Sequence, residues 1–206
     1  MALRMLLLLA AAALVSAGSP QALAGGTKEI LVVYYSHSGH TKLLAEAIGV
    51  GARSDQTTVK VQPTNETSGA DLLSADAIII GSPTYFGSQA SNFSAWIETT
   101  WTPFWQHGNL STKKGAVFTT GGGFAQGIEH VLAELIRRLV HFKVDVIYPD
   151  QTFGGGYHSY GAIAVTGTPP WNATKGVAQV FLDAGQDLGR TMVRHLTAAE
   201  DTRFEL

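Results

Sequence analysis

Apolar and polar positions in this chain alternate between two periods. Strands are predicted where short apolar or β-branched runs occur, at residues 30–35, 57–62, 77–80, 114–120 and 144–148. Helices are predicted where apolar residues recur at helical spacing, at residues 41–49, 71–75, 90–101, 128–142 and 175–196. A further apolar segment at residues 162–166 follows a loop rich in glycine and aromatic residues at residues 150–161.

This repeated order of strand and helix predicts an α/β fold, an open and doubly wound parallel sheet with helices on both faces. A length of 206 residues with 45% hydrophobic content suffices for one domain, assigned to residues 25–206. Sheets of this kind bind ligands outside the carboxyl ends of their strands, where the strand order reverses. Three loops rich in Gly, Ser and Thr are expected to meet at that edge, at residues 36–41, 82–87 and 119–123.

The first of these loops joins a strand directly to a helix. The unpaired N–H groups of the first helical turn and the positive end of the helix dipole favour an anion, so a phosphate would fit there. Gly39 allows close approach of the backbone. An ordinary turn in which Thr41 is the helix N-cap is the alternative. The loop matches neither a P-loop nor the G-x-G-x-x-G dinucleotide fingerprint.

Aromatic residues gather after the third predicted strand. Phe93, Trp96 and Trp101 recur at helical spacing, which favours a place in the core. Beside a loop at the sheet edge, some of these rings would instead form the wall of a pocket for a planar ligand. The loop at residues 150–161 has the length and composition of a functional insertion.

The amino end predicts export from the cytoplasm. Arg4 precedes an apolar stretch that is too short to span a bilayer, and Ala22-Leu23-Ala24 is a small-x-small cleavage site. Residues 1–24 are therefore predicted to be a signal peptide, with cleavage after Ala17 or an uncleaved anchor as alternatives. Neither of the first two options leaves a stable membrane span.

Every asparagine of the chain stands in an acceptor sequon, which predicts a glycoprotein of the secretory pathway, secreted or held in the endoplasmic reticulum lumen. The predicted glycosylation sites are Asn65, Asn92, Asn109 and Asn172. The chain contains no cysteine, which excludes disulfides and thiol redox chemistry. A net charge of −2 gives no indication of a nucleic-acid partner.

Four stretches carry a family resemblance: LVVYYSHSGHT followed by LAEAI, DAIIIGSPTYFG, GAVFTTGGG with Glu129 downstream, and YGAIAVTG. In this order and spacing they resemble the flavodoxin-like family, most closely NAD(P)H:quinone oxidoreductases of the WrbA (tryptophan-repressor-binding-protein) type. The resemblance implies five parallel strands in the order 2-1-3-4-5 and an FMN cofactor at the reversal of strand order.

By position, the resemblance assigns the flavin phosphate to the first loop, the isoalloxazine ring to the second and the edge of the ring to the third. The implied FMN-binding residues are Ser36, His37, Ser38, Gly39, His40, Thr41, Pro83, Thr84, Tyr85, Phe86, Gly87, Thr119, Thr120, Gly121 and Gly122. The candidates for the substrate pocket are Trp105, His141, Tyr157 and Tyr160.

The chain departs from the WrbA type at several positions. Tyr85 stands where that type has Arg, so backbone N–H groups have to support the negative charge of the reduced flavin. His141 retains one imidazole of a family pair whose second member is Phe142 here, or it is simply a surface histidine. The segment between the second and third strands is short, which leaves both a dimer and the family's tetramer open.

The resemblance implies an oxidoreductase that passes electrons from NAD(P)H through FMN to a small-molecule quinone, with no side chain required as acid or base. A flavodoxin-type one-electron carrier is an alternative, although such carriers dock through a strongly acidic face that the small net charge does not supply. A flavodoxin-fold binding module without FMN is a third possibility. The absence of a G-x-S-x-G motif disfavours a hydrolase.

Overall fold

A parallel sheet forms the centre of the molecule, for which a computed structural model describes residues 26–150, 160–167 and 176–198. Its long strands are β1 (Lys28–Tyr34), β2 (Thr57–Pro63), β3 (Ala77–Tyr85) and β5 (Lys114–Gly121), arranged side by side in the order β2-β1-β3-β5. The two-residue strand β4 (Ser88–Gln89) runs antiparallel beside β3. The predicted α/β class and the predicted strand order are confirmed.

Two short strands share the fifth position of the sheet. β6 (Asp145–Val146) pairs with the start of β5, and β7 (Ala162–Val165) pairs with the end of β5 from Phe118 to Gly121. The predicted fifth strand at residues 144–148 is therefore mostly outside the sheet, and the apolar segment at residues 162–166 completes its position. The insertion between β6 and β7 separates the two halves. Residues 151–159 of that insertion lie outside the described residues.

Helices cover both faces of the sheet. α1 (His40–Gly51) and α6 (Gln179–Thr197) pack against each other on one face. The connections that leave β3 and β5 run across the sheet in the direction opposite to the connection that leaves β1. Because such crossovers are right-handed, they place α3 (Ser91–Thr100) and α5 (Ile128–His141) on the other face. Short helices α2 (Gly69–Ser74) and α4 (Thr102–Trp105) complete the connections. None of the helices in the described ranges has both the length and the hydrophobicity to cross a membrane.

The aromatic cluster after β3 belongs mainly to the core. Phe93, Trp96 and Trp101 are buried, and the ring of Trp101 lies with its centroid 5.1 Å from that of Phe142, the residue that follows α5. The Trp96 indole donates a hydrogen bond to the Thr67 carbonyl at 3.2 Å. Edge-to-face contacts of this kind add to the energy of burial, so the cluster fixes α3 to Phe142 and to the segment around Thr67.

Candidate functional site

The three predicted loops meet at the carboxyl edge of β1, β3 and β5, where hydroxyl groups connect them. The Thr41 and Thr120 hydroxyls form a buried hydrogen bond of 2.8 Å between the first loop and the third. Thr84 and Thr119 form another at 3.2 Å between the second and the third, and Thr119 donates to the Ser82 carbonyl at 2.6 Å. Residues far apart in the sequence therefore form one connected rim.

The first loop leaves the start of α1 open to an anion. Gly39 occupies the N-cap position with φ +93°, and no side chain caps the helix. Its N–H donates to Ser36 Oγ at 3.1 Å, and a Cβ built on it would meet nothing within 4 Å. The N–H groups of the first turn therefore face open space, with the helix dipole behind them. This cradle fits a phosphate group.

Thr41 has a structural role different from the N-cap that the sequence left open. The helix begins at His40, and the Thr41 side chain is buried against Thr120. The alternative of an ordinary turn capped by Thr41 is therefore wrong. Ser38 Oγ and His40 Nδ1 lie 3.2 Å apart, and His37 is exposed beside them. These side chains line the outer rim of the cradle.

The second loop is a tight hairpin. Pro83, Thr84 and Tyr85 end β3, whereas Phe86 and Gly87 form the two-residue turn to β4. Both turn residues have positive φ, +51° for Phe86 and +80° for Gly87, as in the turns that match strand twist. Phe86 is fully exposed, and left-handed backbone at a non-glycine residue costs about 1–3 kcal/mol. Such strain is typical of a functional site.

Helix α5 holds this hairpin in place. The Glu134 carboxylate accepts hydrogen bonds from the Ser88 hydroxyl at 2.9 and 3.0 Å and from the Gln89 N–H at 2.9 Å. At the start of α5, Gly127 lies so close to the hairpin that a Cβ would stand 2.5 Å from Gly87 Cα. The strained turn is thus fixed at two points two helical turns apart.

We expect Glu134→Gln to loosen the hairpin, because hydrogen bonds to a charged acceptor are about twice as strong as neutral ones. The free energy of unfolding should fall by about 1–2 kcal/mol. Hydrogen exchange measured by NMR should accelerate at the Gln89 amide while β1 amides are unaffected. Glu98→Gln is the control, since the exposed Glu98 carboxylate has no partner within the described ranges. Equal behaviour of both variants would contradict this role.

The third loop is mostly the end of a strand. Thr119, Thr120 and Gly121 are the buried last residues of β5, and the exposed Gly122 follows them directly. A Cβ on Gly121 would stand 2.7 Å from the Ile128 side chain. The close packing of α5 against this edge therefore depends on the absence of a side chain at this position.

Tyr85 brings no charge to the hairpin. Burial, and to a smaller extent the neighbouring Tyr35, raises the pKa of the Tyr85 hydroxyl above its ordinary value. The hydroxyl therefore remains protonated at neutral pH. Any negative charge beside the hairpin is met by hydrogen-bond donors rather than by a cation at this position.

A cavity of about 520 Å³ adjoins the first loop on the side of α3. Tyr35 and Ser36 line it from the end of β1, and Asn92 and Trp96 line it from α3. Asn92 Nδ2 donates to the Tyr35 hydroxyl at 3.0 Å, and Asn65 forms part of the opposite wall. The space is thus enclosed by neutral side chains.

The candidate residues for the substrate pocket are not all brought together. The rings of Trp105 and His141 lie near each other, with centroids 5.3 Å apart, and both residues are exposed. Tyr160 lies before the start of β7, whereas the end of β7 pairs with Gly121 beside the three loops. About 16 Å of extended chain therefore separates Tyr160 from the loops. Tyr157 lies outside the described residues. Their roles stay predictions.

Comparison with known proteins identifies the family. The family profile described as "Flavodoxin domain" matches residues 31–139, which contain all three loops and the part of α5 that holds the hairpin. The chain belongs to the flavodoxin family. This match confirms the resemblance stated from the sequence, because it covers more than half of the chain.

Several curated relatives of the chain share a name. A protein of Cupriavidus metallidurans named "NAD(P)H dehydrogenase (quinone)" is 32% identical over 169 residues, which cover 68% of this chain and 83% of that protein. A Caulobacter vibrioides protein of the same name is 31% identical over 71% of this chain and 81% of its own length.

Solved structures agree on the fold. A WrbA-like flavodoxin from Agrobacterium tumefaciens superposes with a TM-score of 0.62 at 22% identity, over 82% of this chain and 97% of the other. A flavodoxin from the domain Archaea gives a TM-score of 0.63 at 21% identity, over 82% and 98%. At these identities the likeness supports the flavodoxin fold alone.

The predictions of a signal peptide and of N-linked glycans are wrong, whereas the localisation in the secretory pathway stays a prediction. These bacterial relatives show no sign of a signal peptide or of glycosylation. Asn65 and Asn92 are exposed and line the cavity beside the first loop. Asn109 is exposed, and Asn172 lies outside the described residues.

Several residues that organise the site carried no signal in the sequence. Glu134 is a polar position on an amphipathic helix and looks like any solvated residue there, although it bonds to residues 45 and 46 positions earlier. Ser82 is buried, and its hydroxyl accepts from the Ala90 N–H at 2.9 Å. The G-S-P sequence predicted that the strand ends at residue 80, but β3 continues through it to Tyr85.

Proposed function

We propose that this protein is a flavin-dependent NAD(P)H:quinone oxidoreductase whose flavin is FMN. The observation that carries the proposal is the open cradle at Gly39, joined through the Thr41–Thr120 hydrogen bond to two further loops at the reversal of strand order. The names of the curated relatives support the reaction and both substrates.

The protein's own residues position and shield the reacting groups. The first turn of α1 and the hydroxyls of Ser36 and Ser38 hold the phosphate, since backbone N–H groups and hydroxyls bind a dianion without a lysine. The hairpin and the end of β5 line the ring. When bound, FMN supplies the ability to accept a hydride and to pass electrons on. No described side chain needs to act as acid or base.

The test is spectroscopic. Titration of the purified protein with FMN should quench flavin fluorescence with a stoichiometry of one per chain and give a yellow complex. Rapid-mixing reduction of that complex by NADH and NADPH, followed by reoxidation with a benzoquinone, separates the enzyme from a one-electron carrier. Direct reduction on the millisecond to second scale is expected. A protein that stays colourless at high FMN concentration contradicts the proposal.

The neutral hairpin predicts a low reduction potential for the bound flavin. The Tyr85 hydroxyl is uncharged at neutral pH because its pKa is raised, so Tyr85→Arg introduces a cation at this position. A cation near the ring should stabilise the reduced state by about 1–2 kcal/mol, which corresponds to a rise of roughly 20–40 mV for a two-electron couple. Anaerobic redox titration measures the shift. Tyr85→Gln is the neutral control and should change the potential little.

The number of copies in the assembly also stays a prediction. An assembly of two or four chains follows from the resemblance to the WrbA type. Size-exclusion chromatography with light scattering, with and without FMN, measures it directly.

A further inference from the structure

Helix α5 and the hairpin enclose a second cavity, here named the hairpin–α5 cavity. It has a volume of about 320 Å³ and is lined by Gln89, Glu134, Arg137, Arg138, His141 and Phe142. We propose that this cavity binds a phosphate group of the nicotinamide dinucleotide that reduces the protein. The inference rests on the proposed function and names the part of the chain that recognises the hydride donor.

Positive charge dominates the walls of this cavity. Arg137 and Arg138 form no ion pair with any residue of the described ranges, and His141 stands one turn further along α5. Glu134 offsets only one of the two cations, and its carboxylate is bonded to Ser88 and the Gln89 N–H and lies 3.3 Å from His130 Nε2. Two permanent cations in one concave site favour an anion, and guanidinium groups match phosphate with paired hydrogen bonds.

The hairpin–α5 cavity also lies close to the hairpin residues beside the flavin ring. Gln89 pairs with Thr84 across the hairpin, so one strand pair separates the cavity from the residues that the flavodoxin family places along the flavin ring. Glu134 fixes this same hairpin to α5. A nucleotide whose nicotinamide reaches the ring from this side therefore carries its phosphates toward the two arginines. Neutral quinones have no group that needs them.

Calorimetric titration with oxidised nucleotides tests the proposal without turnover. The FMN-loaded protein is titrated with NADP⁺ and NAD⁺, and compared with the double variant Arg137→Gln, Arg138→Gln. Loss of two charged hydrogen-bond donors should weaken binding about 10- to 100-fold. Arg53→Gln is the matched control, since Arg53 is exposed and lies just after the carboxyl end of α1. This variant should bind the nucleotides as the unaltered protein does.

The two nucleotides distinguish the source of the phosphate. If only NADP⁺ is weakened, the cavity binds the 2′-phosphate, and the protein should prefer NADPH. If both nucleotides are weakened equally, it binds the diphosphate that they share. Either result supports the proposal. The proposal is overturned if the double variant binds both nucleotides as the unaltered protein does, or if Arg53→Gln weakens binding equally. A fall in thermal stability without a change in affinity would mean that the arginines stabilise the dipole of α5 instead.

Failure of this proposal is separable from failure of the proposed function. A protein that binds FMN and is reduced by NAD(P)H, yet is indifferent to the arginine substitutions, keeps its function and loses this site. The cavity is built by α5 and the hairpin alone, so the same titrations apply to the flavin-free protein. Arg137→Lys, Arg138→Lys retains charge without the planar fork, and intermediate affinity is expected from it.

Discussion

Gly39→Asp is expected to weaken FMN binding by at least about 100-fold. The substitution places a carboxylate in the open space above the first turn of α1, where a Cβ meets nothing within 4 Å. A unit charge roughly 6 Å from a phosphate costs about 3 kcal/mol per phosphate charge at an effective dielectric constant of 20. The carboxylate also competes for the N–H groups that the phosphate needs. Fluorescence titration of the flavin-free protein measures the loss.

Gly39→Asn is the matched control for this prediction. Asparagine has almost the same shape as aspartate, and both tolerate the left-handed conformation that φ +93° requires. We expect Gly39→Asn to weaken FMN by about tenfold or less, since only its volume intrudes. Neither variant should unfold the flavin-free protein, because asparagine and aspartate adopt positive φ at a smaller cost than other non-glycine residues. Equal affinities for the two variants would place the phosphate elsewhere.

Much of the fold follows from the sequence because local pattern and tertiary packing agree. The runs at residues 30–34 and 77–80 are buried, and a continuous apolar run of this length is typical of a central parallel strand. The loops between strand and helix followed from composition, and parallel topology brings such loops to one edge. The cradle at Gly39 was therefore predictable from residues 36–41 alone.

The parts that sequence did not predict depend on contacts between distant residues. The Phe86-Gly87 turn lacks the Asn-Gly or Asp-Gly signal of a two-residue hairpin, and its strained backbone is held by Glu134 and Gly127 of α5. The fifth strand is split because an insertion interrupts it, and β6 alone carries only two paired residues. Local periodicity predicts neither the strained turn nor the split strand.

Gly189→Ala is expected to destabilise the protein by about 3 kcal/mol or more, a large fraction of the usual stability of a domain. At this position α6 crosses α1 so closely that a Cβ would stand 2.2 Å from the Ile48 carbonyl oxygen and 2.6 Å from the Ala52 nitrogen. Both atoms belong to backbone, so no side-chain movement relieves the clash. The gain in helix propensity, about 1 kcal/mol for alanine over glycine, does not offset it. Urea unfolding measures the change.

Gly185→Ala, one helical turn earlier, is the matched control for this comparison. There the Cβ meets the end of the Leu44 side chain at 2.8 Å, and this flexible group is able to move. Because both substitutions change the unfolded chain equally, the difference between them isolates contact with backbone. Equal stability of the two variants would mean that α1 and α6 are not in backbone contact at Gly189.

The crossing of α1 and α6 also links stability to the cofactor. Helix α1 carries the phosphate cradle at its start and the contact with Gly189 near its end, so a displaced helix disturbs the Thr41–Thr120 hydrogen bond. A ligand at 100 times its dissociation constant stabilises the folded state by about 2.7 kcal/mol. Saturating FMN should therefore raise the free energy of unfolding less in the Gly189→Ala variant than in the unaltered protein. An equal rise in the two proteins would show that the cradle forms independently of this crossing.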